Sequence, residues 1–427
     1  MIPFDDPAKT PQATLPKTQS GPEQVTHSAP RVFMMDLWAT VPYYTAYLSR
    51  ALREEGVNLT VGSITYYLDP DCFRSRRVPL DPGPLNIVGG LRLPKLPRRV
   101  LKLAEATLNL CALTLRFLTS PPEIIHVQFL PLLRSRAPMD LWFVRFFQHR
   151  GTKIILTVHD LLPHDTGERY KNTFLDLYAK VDSIICHSGH VAARLESEFG
   201  VPASKINVIP HGPFFYDISP TGPTEMFQSL PAAPNRTLFL FQGIILPYKG
   251  VDLLLNAWQQ VEHAASDPWL VIAGTGSPEL LNQIRNQIHQ LGLQRVHLYP
   301  RFITTEELVA LYRAADVVVY PYRAVTTSGA LATGLALGKA IVASGLKVFR
   351  ELLTDQETAL LVDPEDQEQL AEALLRLANQ PDLREALSRR VREMDYGDRT
   401  WQSIAAQTCK VYQRCLSRAE TASRIKT

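Results

Sequence analysis

A chain of 427 residues exceeds what one hydrophobic core usually organises, so two domains are expected. Hydrophobic residues at 45% and charged residues at 20% place it among ordinary soluble globular proteins. A formal net charge of +3 is too small for the footprint of a nucleic-acid binder, though compatible with a basic patch facing phosphates or an anionic membrane.

The N-terminus, Met1-Ile2-Pro3-Phe4-Asp5-Asp6, lacks the basic region and apolar core of a secretory signal, and residues 1–30 are polar and Pro-rich, so a disordered tail is expected. Arg31 to Met35 reads as a first strand, Tyr43 to Glu55 as a helix stopped by Gly56, and Leu59 to Ser63 as a second strand. Val100 to Leu118 is the longest apolar stretch, but Lys102, Glu105 and Arg116 interrupt it, and it is too short and too charged to span a bilayer unaided. The preferred reading is a core helix with a solvated basic rim. A helix lying on a membrane surface stays open, given Arg92, Lys95, Arg98 and Arg99 before it and Arg74-Ser75-Arg76-Arg77 upstream.

Strand and helix then alternate: strands Ile124 to Gln128, Ile154 to Val158 and Ser183 to His187, with helices Leu141 to His149 and Thr173 to Ala179. Val208-Ile209-Pro210 closes this half. Tyr216 to Asn235, rich in Pro, Ser, Thr and Gly, reads as a linker. Alternation restarts with Thr237 to Phe241, Val251 to Gln259, Trp269 to Ala273, Pro278 to Gln290, Val296 to Tyr299 and Thr305 to Ala314. Val317 to Tyr320 is a further strand, Ser328-Gly329 opens a small-residue helix that Gly338 stops, and Ala340 to Ala343 is a buried strand. Trp401 to Leu416 reads as a last, amphipathic helix. The fold class is therefore α/β, two doubly wound Rossmann-like domains of parallel strands, with ligands expected beyond the carboxyl ends of the strands in the cleft between domains.

Loops after strands carry the chemistry. Gly243 allows close backbone approach after its strand, and Lys249 brings a cation suited to a diphosphate to the start of the next helix. Gly274-Thr275-Gly276 follows the next strand, and Arg301-Phe302-Ile303 the one after, ahead of a helix opened by Thr304 or Thr305. Ser328-Gly329 presents free backbone N–H groups and the positive end of a helix dipole, a place for a phosphate. Each loop alone is accounted for by turn geometry or capping; four in order point to one anionic ligand.

In the first half, His159 and Asp160 end a buried strand, and Pro163-His164-Asp165-Thr166-Gly167 adds a second polar cluster on the same loop, which favours an active-site loop over a structural histidine. No third metal ligand stands at suitable spacing, so no essential metal is expected. Ser188, within His187-Ser188-Gly189-His190, reads as a helix cap. Cys72, Cys111, Cys186, Cys409 and Cys415 are scattered, odd in number and without a CxxC pair, which argues against a disulfide framework and for a reducing, cytoplasmic compartment.

These loops together resemble the GT-B glycosyltransferases, specifically the large retaining group called family 4 (group 1), over about residues 31–412 and most strongly over 241–361. The resemblance implies an N-terminal acceptor domain at 31–215, a linker at 216–235, a nucleotide-sugar domain at 236–398 and a helix at 399–418 crossing back to the first domain. It implies that Lys249 binds the donor diphosphate, that the Arg301-Phe302-Ile303 loop holds the base by backbone contacts, and that the loop and helix start around Ser328-Gly329 meet phosphate and ribose. His159 would reach the donor sugar, and Ile209-Pro210-His211-Gly212 resembles the family's domain junction.

The resulting candidates are His159, Asp160 and Lys249 as catalytic residues, with Gly243, Gly274, Gly276, Arg301, Phe302, Ile303, Arg323, Thr327, Ser328, Gly329, Ala330, Thr333 and His211 for substrate. The family's pair of Glu residues is degenerate here, falling on Val325 and Thr333, so Thr333 is expected to offer the ribose a neutral hydrogen bond. Ile244 replaces a common Arg, and Trp38-Ala39-Thr40-Val41-Pro42 stands where a glycine pair is usual.

The expected activity is transfer of a hexose from a nucleotide diphosphate sugar, a co-substrate rather than a cofactor, to a glycan, lipid-linked or small-molecule acceptor with retention, in polysaccharide or glycoconjugate biosynthesis. No nucleic-acid partner is expected, and contact with the inner face of a membrane stays open. The alternative is a catalytically inactive GT-B-like subunit of a glycan assembly complex. An NAD-dependent enzyme is disfavoured because Met35-Asp36-Leu37-Trp38 replaces Gly-x-Gly-x-x-Gly after the first strand.

Overall fold

A computed structural model of the protein describes residues 29–66, 68–81, 85–88, 95–135, 137–162, 167–218 and 236–424. The expected disordered tail, apart from Ala29 and Pro30, lies outside these residues, as do the linker residues 219–235 and the polar stretch Pro163 to Thr166.

The first half runs β1 (Arg31–Asp36), α1 (Pro42–Glu54), β2 (Asn58–Ser63), α2 (Lys95–Thr119), β3 (Ile124–Val127), α3 (Met139–His149), β4 (Lys153–Val158), α4 (Lys171–Lys180), β5 (Ser183–Cys186), α5 (Gly189–Phe199) and β6 (Ile206–Val208). The second runs β7 (Thr237–Gln242), α6 (Val251–Ala264), β8 (Pro268–Ala273), α7 (Pro278–Gln290), β9 (Val296–Tyr299), α8 (Thr305–Ala314), β10 (Val317–Tyr320), α9 (Gly329–Ala336) and β11 (Ala340–Ser344). It ends with α10 (Lys347–Arg350), β12 (Leu360–Val362), α11 (Gln367–Asn379), α12 (Pro381–Arg392) and α13 (Trp401–Arg424).

Each half holds a six-stranded sheet whose paired strands are all parallel. Parallel strands covered on both faces need apolar side chains in both directions, which is why Val317-Val318-Val319-Tyr320 and Ile124-Ile125-His126-Val127 are buried without alternation. The first sheet has the order β2-β1-β3-β4-β5-β6, so its strand order reverses between β1 and β3. The second has the order β12-β11-β10-β7-β8-β9, and reverses between β7 and β10. Ligands of such sheets bind outside the strand ends at these reversals.

Local signals end the elements where physical chemistry requires. Ser188 caps α5 by accepting from the Val191 N–H, and Gly200 closes it at φ +63°. Thr304 and Glu307 form a reciprocal capping box at α8. Asp36 serves α1 from a distance: its carboxylate accepts from the N–H groups of Thr40 (2.7 Å) and Val41 (3.1 Å) and from the Thr45 hydroxyl (3.2 Å). The closing strand of the first sheet, β6, lies at Ile206–Val208, two residues before the expected Val208-Ile209-Pro210.

Helix α2 departs from a simple core helix. Ala106, Leu110, Leu113 and Phe117 face inward, while Val100, Leu108 and Leu115 are 61%, 59% and 69% exposed. Two of the charges that interrupt the run are tied down: Arg116 pairs with buried Asp81, and Glu105 accepts from the Ile87 and Val88 N–H groups. Trp142 and Phe146 of α3 are also exposed, extending the outward apolar face. Arg92 lies outside the described residues. Among the described residues no helix is long and apolar enough to cross a membrane.

The last helix packs against the first half. Trp401 is buried, its ring lying nearly parallel to Tyr47 at 5.4 Å and to Phe214 at 6.3 Å, and its Nε1–H donates to the Pro213 carbonyl at 2.7 Å. Further along α13, the Tyr412 hydroxyl lies 2.7 Å from Nδ1 of the buried His126. The two halves also meet directly: Glu351 accepts from the first N–H groups of α5, Gly189 (3.1 Å) and His190 (2.8 Å), and Asp69 accepts from the Thr305 hydroxyl at 3.0 Å.

Candidate functional site

Loops from both halves meet beside the strand-order reversals. In the second half the loop after β7 folds tightly over itself. Gly243 has φ +140°, and a Cβ built on it would stand 2.8 Å from Lys249 Nζ, so the missing side chain is what lets the ammonium lie under the backbone. Gly274, with φ +153°, abuts this loop: a Cβ there would overlap the Gly243 carbonyl oxygen. Gly276 bridges Ile245, and Gly250 leaves room only for the Pro321 carbonyl, while the Arg323 N–H donates to the Tyr248 carbonyl at 2.7 Å. Gly274 and Gly276 therefore lock neighbouring loops together.

Burial lowers the Lys249 ammonium to about 8, and the Asp160 carboxylate across the cleft opposes that fall. Lys249 Nζ also lies 5.5 Å from the centre of the Tyr322 ring. Ser328 caps α9 by accepting from the Leu331 N–H, and the Tyr312 hydroxyl lies 3.3 Å from Gln242 Oε1 at the end of β7 and 3.2 Å from the Ala330 carbonyl in the first turn of this eight-residue helix. The Ala330 carbonyl accepts from the Tyr320 hydroxyl at 2.7 Å, fixing that turn on the sheet.

From the first half come His159 and Asp160, at the end of β4. His159 Nε2 lies 3.1 Å from Gln128 Oε1, which selects the tautomer with its proton on Nε2. Its ring meets the Tyr44 ring edge-on at 4.8 Å and the His187 ring at 5.3 Å. Burial and the neighbouring His187, His211 and His126 hold His159 well below the usual imidazole range, so it is neutral near pH 7. His187 and His211 are lowered by burial to about 4 and about 3. Neutral imidazoles orient polar groups by hydrogen bonding rather than by charge.

Beside His159 and Asp160 opens a cavity of about 560 Å³. Thr40 and Gln128, from the loops flanking the first reversal, line it together with Leu246, Pro247 and Tyr248 from the β7 loop of the second half. The cavity thus spans the cleft.

The other expected site residues are held within the surrounding loops and the junction between halves. Arg323 holds Asp252 with two hydrogen bonds (2.8 and 2.7 Å), Glu365 at 3.0 Å and the Pro247 carbonyl at 2.8 Å. Arg301 is paired with Glu307 at 2.7 and 2.8 Å, so both guanidinium groups brace loops. Ile303 is buried, and Phe302 packs edge-on against Tyr66 of the first half at 6.3 Å. Thr327 is half-buried on the β10 loop.

Thr333, expected to offer its hydroxyl to a ribose, is buried; Oγ1 donates to the Gly329 carbonyl (2.8 Å) and accepts from the Phe214 N–H (3.3 Å). Gly329 faces the ring of Phe214 and, at 3.3 Å from its missing Cβ, His211 Cε1. His211 and Thr333 belong to the junction between halves. Sequence reasoning missed Gln128, Tyr44 and Tyr248. Gln128 at a strand end was the one visible signal; an aromatic on α1 reads from sequence as core.

Two doubly wound parallel sheets with a cavity lined from both halves define the GT-B architecture. Residues 41–212 match the family model described as Glycosyltransferase Family 4, and residues 223–394 that described as Glycosyl transferases group 1. The chain thus carries these two glycosyltransferase domains, one in each half. It is 24% identical to a D-inositol 3-phosphate glycosyltransferase of Xylanimonas cellulosilytica over 88% of this chain and 91% of that one. It is 26% identical to an uncharacterized glycosyltransferase of Methanocaldococcus jannaschii over 54% of this chain and 59% of that protein, and so spans less than two thirds of this relative. Among solved structures, Anabaena HepE in complex with UDP and glucose aligns with a TM-score of 0.69 and 16% identity over 90% of this chain and 99% of that one, a likeness of fold.

Proposed function

We propose that this protein transfers a sugar from a nucleotide diphosphate donor to an acceptor hydroxyl in the cleft, with retention at the anomeric carbon. The observation that carries the reading is Lys249, folded under Gly243 at the second strand reversal and interacting with Asp160, the neighbour of His159, from the other half. The donor diphosphate lies on Lys249 and the start of α9, with its sugar toward His159. As the acceptor oxygen bonds to the anomeric carbon, the bond from that carbon to the diphosphate oxygen breaks. The electron pair leaves with the diphosphate, and the hydroxyl proton passes to the departing phosphate oxygen. Lys249 stabilises the charge that builds there, and His159, neutral, orients the sugar. The HepE complex with UDP makes uridine the first base to try.

The acceptor is read as a glycan or lipid-linked molecule of glycoconjugate biosynthesis, met at a membrane surface. The exposed apolar face of α2 and α3 supports that contact. The test is release of UDP from UDP-glucose and UDP-N-acetylglucosamine by the purified protein, alongside thermal shift with UDP and GDP. A second reading, a non-catalytic binding subunit, is favoured by one observation: at the positions of the family's paired carboxylates stand Val325 and the internally bonded Thr333. Nucleotide binding without any hydrolysis or transfer would decide for it.

A further inference from the structure

We infer that the acceptor carries an apolar group, and that this group seats in the cavity of about 560 Å³ beside His159 and Asp160. The inference rests on the reading of His159, Asp160 and Lys249 as the transfer site. Most of the cavity wall is apolar, with Phe129, Leu130, Leu133, Phe174, Leu177 and Leu246, and Gln128, Arg134, His159 and Asp160 are among the polar residues that also line it. The volume is that of a small-molecule site, since such cavities run from roughly 300 to 1,000 Å³. A hydroxyl-rich glycan in the apolar part would leave its hydroxyls buried without partners, which is unfavourable. An alkyl, prenyl or aryl group makes no such demand, and its burial is favourable in proportion to area.

Position ties the occupant to the reaction. Leu246, 37% exposed, belongs to the same loop as Lys249, three residues away, so the apolar wall and the diphosphate cation move together. A molecule anchored among Phe129, Phe174 and Leu246 lies in the same cavity as His159 and Asp160, where the donor sugar is read to lie. Elsewhere, the exposed groove along Met139, Trp142 and Phe146 offers apolar surface but shares no lining residue with this cavity.

The experiment compares octyl β-D-glucoside with methyl β-D-glucoside, both below micelle-forming concentration, by calorimetry on the wild type and on Phe174→Glu, Leu246→Asp and Trp142→Glu. Each buried methylene raises affinity roughly fourfold, so with about half of its additional methylenes buried octyl glucoside is expected to bind the wild type about a hundredfold more tightly than methyl glucoside. Phe174→Glu and Leu246→Asp should each remove at least about tenfold of that preference, whereas Trp142→Glu should leave it. Equal affinity of the two glucosides, or a preference lost only in Trp142→Glu, overturns the proposal. UDP binding, measured on the wild type and Phe174→Glu, separates the two readings. Alkyl selectivity without UDP binding would leave the apolar site standing and the nucleotide reading refuted; UDP binding without alkyl selectivity would do the reverse.

Discussion

The ammonium of Lys249 lies 2.8 Å from the point where a Cβ on Gly243 would stand. Because Gly243 also sits at φ +140°, Gly243→Ala forces a strained backbone and displaces the lysine at once. Strain of this kind costs about 1–3 kcal/mol. The expected outcome is a lower melting temperature together with weaker UDP binding, read by calorimetry and thermal unfolding on the same preparation.

Lys249 also sets a pH dependence. Its folded-state value of about 8 means that the ligand-free site loses its charge as pH rises through 8. Diphosphate favours the charged form, so UDP affinity should be full below that point and fall between about pH 8 and 10, with proton uptake on binding. Stability of the free protein moves the other way: the unfolded chain binds more protons between about 8 and 10.4, so stability rises across that window. Lys249→Arg should flatten the affinity profile, because guanidinium stays charged throughout.

His159 contributes from the opposite half, so its effect should appear in turnover. His159→Ala is expected to lower kcat about a hundredfold or more while changing UDP affinity less than threefold, in the range of a lost transition-state interaction. Gln128→Leu, which removes the partner at 3.1 Å, should lower kcat in the same direction by less. Both are measured by UDP release with an identified acceptor.

Thr333→Val tests the assignment of Thr333 to the junction. Removing its hydroxyl leaves the Phe214 N–H without its acceptor, so stability should drop by about 1–3 kcal/mol. UDP affinity should change far less than in Lys249→Ala. Thermal unfolding and calorimetry on one variant separate the two roles.

Most of the fold was legible because parallel strands announce themselves as short continuous apolar runs between punctuating glycines, as at Val317 to Tyr320 before Ser328-Gly329. Between Ser344 and Trp401 no element was read: β12 is three residues long, and α12 is rich in charged residues. The site was legible where one loop holds the chemistry, as with Gly243 and Lys249. It was opaque where distant segments meet. The cluster of Tyr44 with His159, His187, His211 and Trp401 joins five elements that no local pattern connects. Arg301 and Arg323 read as substrate-binding positions, whereas the fold pairs their guanidinium groups with Glu307 and Asp252.

Binding of nucleotide diphosphate to Lys249→Ala, titrated by calorimetry at pH 7 with whichever of UDP and GDP the wild type binds more tightly, tests the central claim most directly. A charge-assisted hydrogen bond is worth about 1.5–3 kcal/mol, so affinity should fall roughly tenfold to a hundredfold, with melting temperature unchanged or raised because a partly desolvated charge is gone. Unchanged affinity in the folded variant, or a wild type that binds neither nucleotide, would contradict the account.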